Sequence, residues 1–260
     1  MVRLVACVVI GLASSGCVSI SAERAEIDEA MWSRSSAEYA AQIEGEAVGG
    51  YLASVGGRLL AHAPESELGP HEWSWHVFAD DRVQAFTTID GRVALTRGLV
   101  ERLASEDELG AILAGQIAHA RLQHEWQFMI NQINAAGFFI YPKGAVTEGG
   151  TNGAKVEYAS WLFTREGEGF MHPFQAWQLI EADEAAMEML ARAGYDPWAI
   201  ERALAISAEG GTQYAYTYGH VAERWRAVEA WLNAGGDAEP ARTDSGAFDA
   251  FQEAIASAGD

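Results

Sequence analysis

The stretch SEDELGAILAGQIAHARLQH, residues 105–124, constrains the fold more than any other part of the chain. Ser105 and Glu108 stand at the spacing where a hydroxyl and a carboxyl cap the first turn of a helix reciprocally. Leu109, Ile112, Leu113 and Ile117 follow at helical spacing and make one apolar stripe. The pattern predicts a helix that opens at this cap and continues past His124. A second long helix is predicted over PFQAWQLIEADEAAMEMLARAG, ending at Gly194 with Pro197 beyond it as a stop. DPWAIERALAISAE and GHVAERWRAVEAWLNAGG read as two more helices. Upstream, AAQIEGEAVGGYLASVGGRLLAHA is a helical pattern broken by glycines. Its Tyr51, Leu52, Val55, Leu59 and Leu60 fall on one face, expected to be core.

Between these helices, HEWSWHVFADDRVQAFTTIDGRVALTRGL reads as strands. Trp73, Trp75 and Val77 alternate, as in a half-buried strand. VQAFTTI and RVALT flank Asp90-Gly91, a two-residue hairpin signal in which both turn positions take positive φ. The glycine-rich run NQINAAGFFIYPKGAVTEGGTNGAKVEYA has no clean period and is expected to be mobile. DAEPARTDSG reads as a linker, after which Phe248, Phe251 and Ile255 suit one short docking helix. No internal repeat is visible.

The N-terminus, MVRLVACVVIGLASSGC, has a basic residue, an apolar run and small residues before a cysteine. Ser-Ser-Gly-Cys resembles a bacterial lipoprotein signal. Residues 1–16 are then a signal peptide, Cys17 the lipidated residue and 17–40 a polar tether. Val18 is not an Asp retention signal, so the expected location is the outer membrane, facing the periplasm. Cys7 leaves with the signal, and no cysteine remains for a disulfide. The formal net charge is −20. Such a surface repels nucleic acid, which is not expected as a partner.

Four landmarks in order carry a resemblance. AFTTIDGRVALTRGL is similar to an Asn-Ala-Phe strand, Gly turn and Thr-Arg-Gly-Leu segment, with Gln84 where Asn is usual. SEDELGAILAGQIAHARLQH is similar to an active-site helix ending in His124. EADEAAMEMLARAGYDP matches a Glu-Ala-Asp helix with its Ala-Gly-Tyr-Asp-Pro turn. GHVAERWR resembles a His-Pro segment followed by Arg, here His220 and Arg226, with Val221 replacing Pro. Together they resemble the gluzincin zinc metallopeptidase family of the HtpX-type heat-shock proteases and CAAX prenyl proteases, in its periplasmic lipoprotein branch. The resemblance covers roughly residues 40–235. It implies a mainly helical α+β, zincin-like domain over 41–235, with a small antiparallel sheet or hairpin beside the active-site helix and a tail over 236–260.

The chemistry of that family needs two His one helical turn apart, a Glu beside the first, and a third ligand from a second helix. The Glu beside the first His takes a proton from the metal-bound water. Here the first ligand position is Gly115 and the base position is Gln116, an amide that cannot take that proton. Only His119 is retained. The third ligand lies four residues before Asp183, at Leu179. Glu181, two residues before Asp183, is rotated about 200° from it on a helix. His220 and Arg226 take positions that the resemblance puts near the active site.

No cofactor is expected at so degenerate a motif. The leading expectation is therefore a lipid-anchored, catalytically inactive pseudoprotease that binds or regulates envelope proteins. Its partners would be unfolded or assembling envelope proteins, or an active protease relative. The strand Gln84, Ala85, Phe86 and Thr87 is the expected place for strand addition by a peptide. One alternative is an active zinc metalloendopeptidase of envelope protein quality control, with a metal site rearranged around His119 and His220. Another is a purely structural lipoprotein.

Overall fold

The structure, a computed structural model, describes residues 24–66, 72–128, 131, 174–209, 220–234 and 245–258. The signal peptide, Cys17 and residues 132–159 of the glycine-rich run lie outside the described residues. Helix α1 covers residues 24–37 and α2 covers Glu46–Leu60. Strands β1 (Ser74–Phe78), β2 (Ala85–Thr87) and β3 (Arg92–Thr96) follow. Then come α3 (Arg97–Val100), α4 (Glu106–Arg121) and a short α5 over 124–128. The last helices are α6 (Ala176–Ala193), α7 (Ala199–Glu209), α8 (Val221–Asn233) and α9 (Ser245–Ser257).

Helix α4 is the hub, packing on α2, β2, α6 and α7. Leu109, Leu113, Ala114, Ile117 and Ala118 on it are fully buried, so its apolar surface is wider than one stripe. At its start Ser105 accepts from the Glu108 N–H at 3.2 Å. The Glu108 carboxyl reaches one residue further back than a capping box requires, to the Ala104 N–H at 2.7 Å. The helix does not run past His124. It is capped by Leu122, and Gln123 turns left-handed with φ 64°. Arg24 Nη1 donates to the Gln123 side chain, and Gln123 Nε2 donates to the Ala120 carbonyl at 2.9 Å. These contacts hold a conformation uncommon for a residue with a Cβ.

The sheet has the order β1-β3-β2. The β2–β3 hairpin is antiparallel as expected, but β1 joins β3 in parallel, so the sheet is mixed. The turn also differs from the expected two-residue form. Among the described hairpin residues only Gly91 has positive φ, 86°. The Gly91 N–H donates to the Thr88 carbonyl at 3.2 Å, and the Thr88 N–H donates to the Arg92 carbonyl at 3.0 Å. That is a three-residue loop with a left-handed glycine closing it. The cause is tertiary: Asp28 of α1 accepts the Asp90 N–H at 2.8 Å.

Part of the expected tether is therefore structured. Residues 24–37 form a helix whose inner face, Arg24, Ile27, Asp28 and Met31, is buried. Trp32 lies over His76, Phe78 and Phe86, at 4.4, 6.0 and 6.1 Å between ring centroids. At the other end, α9 packs on α2 and α3. Gln252 Nε2 donates to the Val100 and Leu103 carbonyls at 3.0 and 2.9 Å, satisfying groups that the short α3 leaves open. Among the described residues, no helix is long and apolar enough to cross a membrane.

Candidate functional site

Five elements meet at one small cleft. Gly115, Gln116 and His119 of α4 line it with Ala85 of β2, Asp183 of α6 and Arg224 of α8, and α7 closes the apolar side. Its volume is about 30 Å³, room for a pair of waters. At its base Arg224 binds Asp183 in a fork: Nε to Oδ2 at 2.7 Å and Nη2 to Oδ1 at 2.7 Å. Both partners are buried, so the two helices are pinned to each other by a desolvated pair.

His119 sits at the rim of a short relay. Its Nδ1 lies 3.0 Å from Nδ1 of His124, and His124 Nε2 lies 3.3 Å from Oε2 of the half-exposed Glu181. For two Nδ1 atoms to share a hydrogen bond, one imidazole donates and the other accepts. Phe174 stacks on His119 at 4.4 Å. Burial, the neighbouring His124 and then Arg224 push the His119 imidazole well below its ordinary range, so it is neutral near pH 7. Burial also lowers His124, against the opposing pull of Glu181.

The break after α4 makes this relay. Five residues along an unbroken helix would turn His124 about 140° from His119. The left-handed Gln123 swings it back. Glu181, rotated away from Asp183 as its spacing requires, meets His124 and not the cleft.

The remaining expected site residues are distributed as follows. Gly115 is partly exposed, and a Cβ built on it would meet no atom of the described residues within 4 Å. Gln116 is 4% exposed and Leu179 is 1% exposed. His220 caps α8 in a left-handed conformation, is exposed, and approaches Glu223 at 3.7 Å. Arg226 is exposed. The guanidinium in the cleft belongs to Arg224, which the His-to-Arg spacing passed over. Helical periodicity marks it: Arg224, Val228 and Leu232 stand four apart and form the buried face of α8. In β2, Ala85 and Thr87 are buried, as is Gln84 just before them. Phe86 is half-buried beneath Tyr39, stacked at 5.3 Å.

A zinc ion at the position implied by the resemblance needs imidazole and carboxyl donors converging on the cleft. The chain supplies His119. Among the described residues, the space beside Gly115 holds no donor, Gln116 carries an amide, and Leu179 carries none. Among the described residues, no group of three or more His, Cys, Asp or Glu side chains is disposed to hold a metal ion. The residues present do not fit the metal.

The family model described as Peptidase family M48 matches residues 49–232. The chain belongs to peptidase family M48. The M48 match runs from α2 to α8, and the mainly helical α+β fold with its small mixed sheet is the one the family implies. Mitochondrial metalloendopeptidase OMA1 of Schizosaccharomyces pombe is 26% identical over 188 residues, covering 70% of this chain and 52% of that protein. The beta-barrel assembly-enhancing protease of Escherichia coli is 26% identical over 154 residues, covering 58% of this chain and 30% of that protein. The same protein of Yersinia pestis is 25% identical over 162 residues. The chain thus spans about half, or less, of the length of these curated M48 relatives.

Proposed function

We propose that this M48 chain is a lipid-anchored pseudoprotease of the bacterial envelope, which holds polypeptide without cutting it. The observation that carries the reading is the occupancy of the catalytic positions. Where the first ligand belongs there is open space beside Gly115. Gln116 stands in place of the base, and buried Leu179 in place of the third ligand. Without a base, rate falls by on the order of 10²–10⁴. Without a metal, the water nucleophile goes too. The Asp183–Arg224 fork and the buried α4 keep the scaffold that frames the cleft. Retained scaffold with absent donors favours binding over hydrolysis.

The anchor is Cys17 in the Ser-Ser-Gly-Cys signal, with the outer membrane as destination. The clients are unfolded or assembling envelope proteins, or an active protease relative. The beta-barrel assembly-enhancing proteases among the relatives support an envelope setting. Clients pair with residues 84–87, where β2 lies at one side of the sheet next to α4.

The test is metal content. The mature chain is purified with zinc present, dialysed and measured by mass spectrometry. It is expected to retain none. The variant Gly115→His/Gln116→Glu/Leu179→Glu is expected to retain zinc stoichiometrically. Stoichiometric zinc in the unaltered chain, lost in His119→Ala, would overturn the reading.

A further inference from the structure

Helix α1 is fastened by an unusual seam. Arg24 donates through Nε to Asp90 at 2.9 Å and through Nη2 to the Ile89 carbonyl at 2.7 Å. Its remaining fork reaches Gln123. Its guanidinium also lies 5.4 Å from the Trp126 ring of α5. Asp28 is buried beside it, and its Oδ2 has no hydrogen-bond partner; Arg92 Nε is 3.4 Å away. Across the seam, Glu125 of α5 is buried and its Oε2 has no hydrogen-bond partner among the described residues. Two carboxyls are thus buried along one seam, each with an oxygen that accepts no hydrogen bond among the described residues, and the Arg24 guanidinium is committed to three other acceptors. A buried carboxylate without a partner is costly, whereas a buried carboxylic acid is tolerated.

We propose that Glu125 is a proton-operated latch: it holds α1 on the hairpin and α5 while protonated, and releases α1 when ionised. The charged groups whose fields reach Glu125 are Arg24 and Asp28 of α1. Behind them stand Asp90 at the hairpin turn and Arg92 on β3, which engage those two, and Glu29, which pairs with Arg92. His124, the preceding residue, is engaged with His119 and Glu181. Burial pushes the Glu125 carboxyl up to about 8, with Asp28 adding to the rise and Arg24 opposing it. Once α1 lifts, Glu125 meets water and returns to the ordinary carboxylate range. Opening therefore releases a proton across the window from about 4.5 to about 8.

Opening also removes Trp32 from one side of Phe86 of β2, while Tyr39, beyond α1, stays stacked on it. The latch would then gate the strand proposed to hold clients. That consequence rests on the proposed function; the latch itself does not.

Hydrogen exchange of the full chain tests it, read by mass spectrometry on residues 24–37 and corrected for intrinsic rates. Protection is expected to fall about tenfold per pH unit between pH 5.5 and 7.5 and to level off above pH 8. Helix α6 is expected to show no such slope. Glu125→Gln keeps the protection of α1 across the range. Asp28→Asn, which retains the acceptor for the Asp90 N–H, moves the levelling to lower pH. Protection of α1 independent of pH in the unaltered chain would overturn the latch. So would an unchanged slope in Glu125→Gln, or an unchanged levelling point in Asp28→Asn. None of these readouts depends on whether β2 takes clients.

Discussion

Two arginines separated by one residue on α8 do different work. Arg224 is buried against Asp183, while Arg226 faces solvent. Methionine at 224 leaves the Asp183 carboxyl buried without its partner. Arg224→Met is expected to lose about 3–5 kcal/mol in urea unfolding, the range for breaking a buried pair from one side. Arg226→Met is expected to stay within about 0.5 kcal/mol. Equal effects would mean that the fork does not pin α6 to α8. The pair also shows what sequence reveals at this scale. Gly115, Gln116 and Leu179 are read from a motif that names their positions. Arg224 was missed because the motif counts residues from His220, and that count lands on the solvent face of the helix. The periodicity shared with Val228 and Leu232 points to the correct residue.

Elements were legible where local chemistry decides them, and not where a distant contact does. The cap at Ser105 and the left-handed stop at Gly194, φ 80°, are written in their own residues. The stop of α4 is not: no glycine or proline marks Gln123, and Arg24 helps to hold it from far along the chain. The hairpin was placed correctly, but its loop length answers to Asp28. Helix α1 reads as tether because its buried face includes Arg24 and Asp28, which composition scores as polar. Helix α9 shows the opposite case, apolar spacing that docks as written. Phe251 is 1% exposed and packs on Tyr51 at 4.8 Å. Phe251→Ala is expected to cost about 3–5 kcal/mol in urea unfolding. Gln252→Ala, which opens two carbonyls, is expected to cost about 1–2 kcal/mol. A loss below 1 kcal/mol for Phe251→Ala would make α9 an ornament on a domain complete without it.

For the whole molecule, pH draws the separate sites into one profile. Half-buried His76 and buried His119 and His124 are all held below the ordinary imidazole range, chiefly by burial. The unfolded chain binds those protons more readily. Their contribution is therefore present above about pH 6.5 and lost as pH falls below it. Glu125 acts in the other direction. Its folded value of about 8 lies above the unfolded one, so its contribution is full below about 4.5 and lost as pH rises towards 8. Asp28 and Asp107, also raised by burial, add to this loss from the carboxylate range upward. Below pH 6.5 the two groups oppose each other; above it Glu125 stands largely alone. Stability is thus expected to peak near pH 6.5 and to fall by roughly 2 kcal/mol by pH 8, at about 1.4 kcal/mol per unit for one proton. It should then level, because release of α1 lets Glu125 ionise in water. Urea unfolding at 0.15 M salt, where the −20 surface is screened within about 8 Å, isolates the buried groups. Glu125→Gln should remove the alkaline fall and steepen the loss just below pH 6.5, where Glu125 no longer offsets the histidines. A fall of the same size in that variant would assign the slope to surface repulsion, and Glu125 would then have no part in the pH response of the fold.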